Sequence, residues 1–285
     1  MQICFWRRLI AAASAGLLLV MGGCELSPDV IEACLNNANQ AQSISYEMDM
    51  LMDMTVLGQQ ISTRMQGEGS STADPQRLEM HYTQKTGDIT VEGQSYTELS
   101  GDQYVQYIGL NGQWMKQTLP ASAVTQAPQE AMAIYLEAIT RYQKEGEETI
   151  AGSRTSKYSA IISGDMLERV LQASGTMDQL QEVGLDTTQT SELCTGLGDL
   201  PVTPWADEAA MRAAKIEMNL TEIMQSLFKK IAQTQSMDLS ATGLSITGLS
   251  LSMTITGYDT VDSIDIPEQV RQKATDYSSL LSALS

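Results

Sequence analysis

The chain of 285 residues carries 17 basic and 35 acidic side chains, which gives a formal net charge of −18 at pH 7. A chain this acidic is repelled by nucleic acid and by anionic lipid headgroups, so neither is expected to bind it through charge. Because 42% of the residues are hydrophobic and only 18% are charged, we expect a folded protein rather than a disordered one.

The N-terminus has the pattern of an export signal. Arg7 and Arg8 precede a short apolar run that ends in two glycines and Cys24. This order is typical of a bacterial signal peptide, and the run is shorter than the ~20 residues that span a bilayer. A cysteine in this place resembles a lipobox. We therefore predict a lipoprotein signal peptide over 1–23, a lipid on Cys24 and attachment to the outer face of the bacterial cell membrane. An ordinary signal peptide with a chance cysteine is the alternative.

The segment 24–44 is predicted to hold the lipidated N-terminus and a first helix. Ser27, Pro28 and Asp29 are the residues that favour a helix start. An apolar stripe at helical spacing follows and includes Cys34. In an exported protein Cys34 and Cys194 could form a disulfide, or both could stay buried thiols, and their spacing does not decide between the two.

The residues 45–285 are predicted to form a single domain that begins with an antiparallel meander. Tyr46 to Val56 alternates apolar and polar residues, which is typical of a strand with one face in water. Turns are predicted at residues 57–60 and 87–88. Asn111-Gly112 between two short strand patterns is a strong hairpin signal.

The second half of the domain mixes helices and strands. Pro128 begins a predicted helix that extends to Tyr142 and is followed by an acidic turn at 145–148. Further predictions are strands over 149–163, 202–206, 214–220 and 240–258, the last with a bulge near Gly248, and helices over 165–183, from Thr221 and after Pro267. Runs of strands with a few inserted helices indicate an α+β fold with an antiparallel sheet.

Methionine is unusually frequent, with 17 methionines against two phenylalanines. Period two places five of them on one face of the sheet, and Met253 could join them: Met48, Met50, Met52, Met54 and Met80. Methionine is flexible and polarizable, so it suits surfaces that must fit varied apolar shapes. Two interpretations stay open. Helices could cover this face fully as core, or cover it loosely so that it lines a ligand cavity.

Several segments resemble the bacterial lipoproteins with a LolA/LppX-like half-barrel, and most closely a Gram-positive branch. They are Tyr104 to Tyr107, Gly112 to Lys116, Gly152 to Asp165, Trp205 to Asp207, Lys215 to Met218 and Ile264 to Pro267. The resemblance implies a strongly curved antiparallel sheet wrapped around a few helices. It also implies a non-enzymatic role in which the concave face holds a lipid or another hydrophobic ligand. Tyr104, Tyr107 and Trp114 then join the methionines as candidate lining residues.

Catalytic and metal-binding motifs are missing from the sequence. His81 is the single histidine and alternates with Met80 and Tyr82, so we expect it on the water-facing side. No nucleophile elbow, P-loop, zinc or redox motif occurs, and we predict no catalytic residue, metal or cofactor. Two other functions remain possible: a structural or sensory module with a filled core that binds a protein partner, and a hydrolase that uses two carboxylates.

Overall fold

The computed structural model describes residues 28–120, 128–173, 192–234 and 245–276. Its strands form one large, mainly antiparallel sheet of twelve strands, which is curved and does not close into a barrel. The predicted α+β fold, a curved antiparallel sheet with a few helices, is thereby confirmed. Within the described ranges, no helix combines the length and the apolar character that crossing a membrane requires.

The elements are numbered here in chain order. The helices are α1 (Pro28–Gln40), α2 (Pro128–Ala138), α3 (Gly164–Ala173), α4 (Thr221–Thr234) and α5 (Glu268–Lys273). The strands of the first half are β1 (Ser43–Val56), β2 (Gln59–Ala73), β3 (Gln76–Thr86), β4 (Ile89–Ser100), β5 (Gln103–Leu110) and β6 (Gln113–Pro120). Those of the second half are β7 (Ile139–Ile150), β8 (Ser153–Ile162), β9 (Leu200–Asp207), β10 (Arg212–Asn219), β11 (Ser245–Tyr258) and β12 (Thr275–Asp276).

The strand order is β12-β6-β5-β4-β3-β2-β1-β11-β10-β9-β8-β7. Tight turns set the register of the meander from β1 to β6. Leu57 and Gly58, and Asn111 and Gly112, all have positive φ, as a two-residue type I′ hairpin requires. Strand β11 pairs with β1 and so joins the two halves of the sheet. The register of this pair shifts at Asp53, beside the bulge predicted near Gly248.

The main core lies on one side of the sheet, which we call the inner face. Side chains from α1 to α4 pack there against β8 to β11 and the start of β1. The centre of this cluster includes the fully buried Ile162 and Ile216. The opposite side of the sheet is the outer face. Burial of one apolar stripe per helix against one face of a sheet is what stabilises such two-layer folds.

Strand β7 differs from the structure predicted for this segment. The predicted helix ends at Ala138 instead of extending to Tyr142, and the predicted acidic turn at 145–148 lies inside a regular strand. Among the strands that the structure describes, β7 lies at an edge of the sheet and pairs with β8 alone, through two register shifts. Edge strands commonly carry charges and irregularities that hinder pairing with other chains, and those features conceal the alternation expected of a strand.

The C-terminal segment crosses the outer face of β4 to β6. Ile264, Ile266 and Val270 form a second buried cluster there with Tyr96 and Tyr107. The segment ends in β12, which pairs in parallel with β6. The predicted final helix is thus confirmed only as the short α5, and its predicted continuation past residue 276 lies outside the described residues.

Glu98 holds this segment on the sheet through charge. Its carboxylate accepts two hydrogen bonds from the Arg271 guanidinium, one of them 2.7 Å long from Nη2 to Oε2, and lies 3.8 Å from Arg77 Nη2. The Glu98 side chain is only 13% exposed. Replacing Glu98 by glutamine should lower the free energy of unfolding by about 2 kcal/mol, because a largely buried charge-assisted pair is lost. Chemical denaturation measures this loss.

A matched control is available on the same segment. Glu268 is exposed, and its carboxylate accepts a hydrogen bond from the side-chain amide of Gln272. Changing Glu268 to glutamine should leave stability nearly unaltered. Equal stabilities of the Glu98 and Glu268 variants would contradict the role assigned to the Glu98 pair.

Candidate functional site

The register of β1, β2 and β3 places six methionines on the inner face. Met50 lies directly opposite Met65 on β2 and opposite Leu251 on β11, and Met48 lies opposite Met253. We call the following six residues the methionine face: Met48, Met50, Met52, Met54, Met65 and Met80. Each is partly buried, and none belongs to either buried cluster.

On their inner face, the six described strands β1 to β6 carry no charged side chain. Their pairings run without a register shift from β1 through β6, so period two assigns every residue to one side. All charged side chains of these strands lie on the outer face: Glu47, Asp49, Asp53, Arg64, Glu68, Arg77, Glu79, Lys85, Glu92, Glu98 and Lys116. The inner face is therefore a broad neutral surface in a strongly acidic protein.

The methionine face is continuous with the main core. One row of paired residues runs from Met65 through Met50 and Leu251 to Met218 and Val202. Exposure falls along this row, from the partly buried methionines to Met218 at 4% and Val202 at 3%. Apolar side chains that extend out of a core without being fully covered form a surface on which another apolar group can be buried.

Two glycines allow large side chains to lie flat on the inner face. A Cβ at Gly93 would lie 2.2 Å from the ring of Tyr82, and one at Gly67 would lie 2.7 Å from the terminal methyl group of Met80. Both distances are shorter than any normal contact, so neither glycine tolerates a side chain without a shift of its neighbours. The rings and thioethers around these glycines thus form a layer close to the backbone.

The eight predicted lining residues divide between the two faces. Met48, Met50, Met52, Met54, Met80 and Tyr104 lie on the inner face, where Tyr104 is opposite Leu99. Tyr107 and Trp114 lie on the outer face, so they do not line the same surface as the methionines. They pack under the C-terminal segment, and the ring of Trp114 stacks on that of Tyr96 at 5.8 Å between centroids. Successive residues of a strand point to opposite faces. Tyr107 and Trp114 occupy outward-pointing positions of their strands, whereas Tyr104 occupies an inward-pointing one.

The open depressions on the outer face contain charged side chains. One of about 700 Å³ is lined by side chains that include Glu47, Glu68, Glu92 and His81. His81 is exposed there and lies 3.1 Å from the amide nitrogen of Gln94, as expected for a residue on the water-facing side. The described residues include no group of three histidine, cysteine or carboxylate side chains placed to hold a metal ion. The outer face therefore does not offer an apolar ligand the neutral surface that the inner face does.

Cys34 and Cys194 lie in the same buried cluster, and the structure holds both as thiols. Burial raises the pKa of Cys34 to about 12, with smaller contributions from Asp207 and Glu208. A thiol with such a pKa is a poor nucleophile at neutral pH, which argues against a catalytic role. A disulfide between the two cysteines stays a prediction, and Cys24 lies outside the described residues.

The absence of charge from the inner face was not predicted from the sequence. Nor were Met65, Ile108 and Met115 predicted as lining residues, although the register places them on this face. The signal was present, because within each of the strands β1 to β4 all charged residues fall on alternate positions. Their common side becomes visible only when the strands are aligned in register.

No family model matches the chain, and no curated protein matches it. The chain is similar to the crystal structure of LprF from Mycobacterium bovis, with 12% identity, coverage of 85% of this chain and 99% of that chain, and a TM-score of 0.49. It is also similar to the Mycobacterium tuberculosis lipoprotein LppX, with 13% identity, coverage of 84% and 100%, and a TM-score of 0.43. At these values neither similarity adds to what the geometry of the sheet itself establishes.

Proposed function

We propose that this chain is a non-enzymatic, extracytoplasmic lipoprotein that binds a lipid or another hydrophobic ligand against its methionine face. The observation that supports the proposal is the neutral inner face of β1 to β6, of which the methionine face is the part next to the core. An acidic chain that keeps every charge of six strands on their outer face leaves the inner face for apolar contacts.

The chemistry of methionine favours an acyl chain or a similarly flexible apolar group as the ligand. A thioether side chain adapts its shape at low cost, so one surface fits chains of different length and branching. Burial of each CH₂ group of the ligand contributes about 0.8 kcal/mol. Because the inner face of these six strands carries no charged group, an apolar ligand bound there desolvates no ion of the strands.

The ligand is tested by native mass spectrometry of the protein purified from bacteria without detergent. We expect a protein peak with an additional mass that disappears after extraction with organic solvent, and a lipid in the extract. A second measurement is titration with a fluorescent fatty acid, which detects an empty but competent surface. Absence of both the copurified mass and probe binding would contradict the proposal and favour the alternative of a filled interaction module.

The membrane anchor is tested at Cys24. Replacing Cys24 by serine removes the thiol that would be lipidated, so the protein should move from the membrane fraction to the soluble or secreted fraction of the cells. The same change at Cys34 serves as the control and should leave the protein in the membrane fraction. Unchanged fractionation of the Cys24 variant would contradict the anchoring proposal.

A further inference from the structure

Three methionines lie around Gly67 on the inner face. Met48 lies directly opposite Gly67, and directly opposed residues of an antiparallel pair have Cα atoms about 4.5–5.5 Å apart. The methyl group of Met80 lies over the same glycine, only 2.7 Å from the position that a Cβ would occupy. Met65 is two residues from Gly67 on the same strand and face, and it lies opposite Met50.

The donor atoms around Gly67 are all soft or neutral. Carboxylates of the neighbouring residues, such as Glu68, are on the outer face, and so is the imidazole of His81. Hard cations such as Ca²⁺ and Mg²⁺ require oxygen ligands, and zinc prefers imidazole, thiolate or carboxylate. Thioether sulfur, in contrast, selects copper(I) among the biological metals. The net charge of −18 also attracts any cation to the molecule.

We propose that Met48, Met65 and Met80 form a binding site for a soft monovalent cation, copper(I). The glycine at position 67 makes room for the sulfur atoms, since a side chain there would displace Met80. All three residues are partly buried, so a cation can approach them from solvent. The site shares these residues with the methionine face, but it requires their sulfur atoms where the hydrophobic ligand requires only an apolar surface.

The test uses silver(I), a redox-inert substitute for copper(I), and the full chain with ¹³C-labelled methionine methyl groups. Cys4 and Cys24 are replaced by serine so that accessible thiols do not compete for silver. Upon addition of silver we expect the methyl signals of Met48, Met65 and Met80 to shift, while those of Met166, Met211 and Met224 remain in place. Unshifted signals for the first three methionines would overturn the proposal.

A pair of triple variants provides the matched comparison. Changing Met48, Met65 and Met80 to leucine retains the apolar surface but removes the three sulfur atoms. Silver affinity should therefore fall about tenfold or more, at least as much as when a residue that supports a metal ligand is replaced. The same change at Met166, Met211 and Met224 should leave silver affinity unaltered. Equal affinities of the two triple variants would overturn the proposal. Circular dichroism of both variants should match that of the unaltered protein, so a loss of silver affinity in the first variant alone reflects the removed sulfur atoms.

Discussion

Replacing Met50 and Met65 together by glutamine should weaken binding of a fluorescent fatty acid about thirtyfold. The two residues are direct cross-strand neighbours at the centre of the methionine face, and both are partly buried. We expect each to contribute about 1 kcal/mol of apolar contact with the ligand, so their joint loss amounts to about 2 kcal/mol. Fluorescence titration of the purified variant measures the change in Kd.

The control for this experiment lies on the same strand. Leu51 is adjacent to Met50 but belongs to the outer face, where it is opposite Arg64 and Ser250. Replacing Leu51 by glutamine therefore introduces the same side chain on the other side of the sheet and should leave the affinity unaltered. A similar loss in both variants would show that the change acts through stability and not through the inner face.

Replacing Ile216 by alanine should lower the free energy of unfolding by about 3–4 kcal/mol. Ile216 is fully buried in the main core on β10, between Met253 of β11 and Pro204 of β9. The variant loses the apolar contacts of the removed atoms and leaves a cavity beneath the helices. Urea denaturation followed by circular dichroism measures the loss.

The conservative change of Ile216 to valine provides the scale for this result. It removes one methyl group and should cost only about 1 kcal/mol. If the alanine variant lost as little as the valine variant, Ile216 would not be enclosed by helices. The division of the sheet into a sealed core over β8 to β11 and a partly covered methionine face would then be wrong.

The strands of the first half could be predicted because each carries its own local signal. Strand β1 alternates apolar and polar residues over most of its length. The Asn111-Gly112 pair predicts a hairpin turn, and the positive φ of both residues confirms it. These signals are local, since they depend on neighbours within a few residues. The predicted bulge near Gly248 has the same origin, because the alternation in β11 changes phase there.

Strand β7 could not be predicted because tertiary pairing determines it. Leu136, Ile139 and Tyr142 have helical spacing, and the charged residues that follow resemble a loop. As an edge strand, β7 has water on one side of its backbone and few apolar positions. Pairing with β8 stabilises the strand, and that contact has no signature within the segment itself.

The candidate site was predicted in part for a related reason. Each strand specifies which of its residues share a face, so the methionines of β1 and Met80 could be grouped from their alternation. Which face a residue on a distant strand joins depends on register across several strands. Tyr104 and Tyr107 lie three residues apart on β5 and therefore point to opposite sides. Which of them shares a face with Met50 follows only from the register of β1 to β5.

Photoaffinity labelling with a fatty acid that carries a diazirine in its acyl chain is the most direct test of the central claim. After irradiation, digestion and peptide mass spectrometry locate the labelled residues. We expect labels on inner-facing residues of β1 to β3, such as Met50, Met65 and Met80, and none on their outer-facing neighbours Leu51, Gln66 and His81. Labels concentrated on the outer face, or labels that unlabelled fatty acid fails to compete away, would contradict the claim that the neutral inner face binds the ligand.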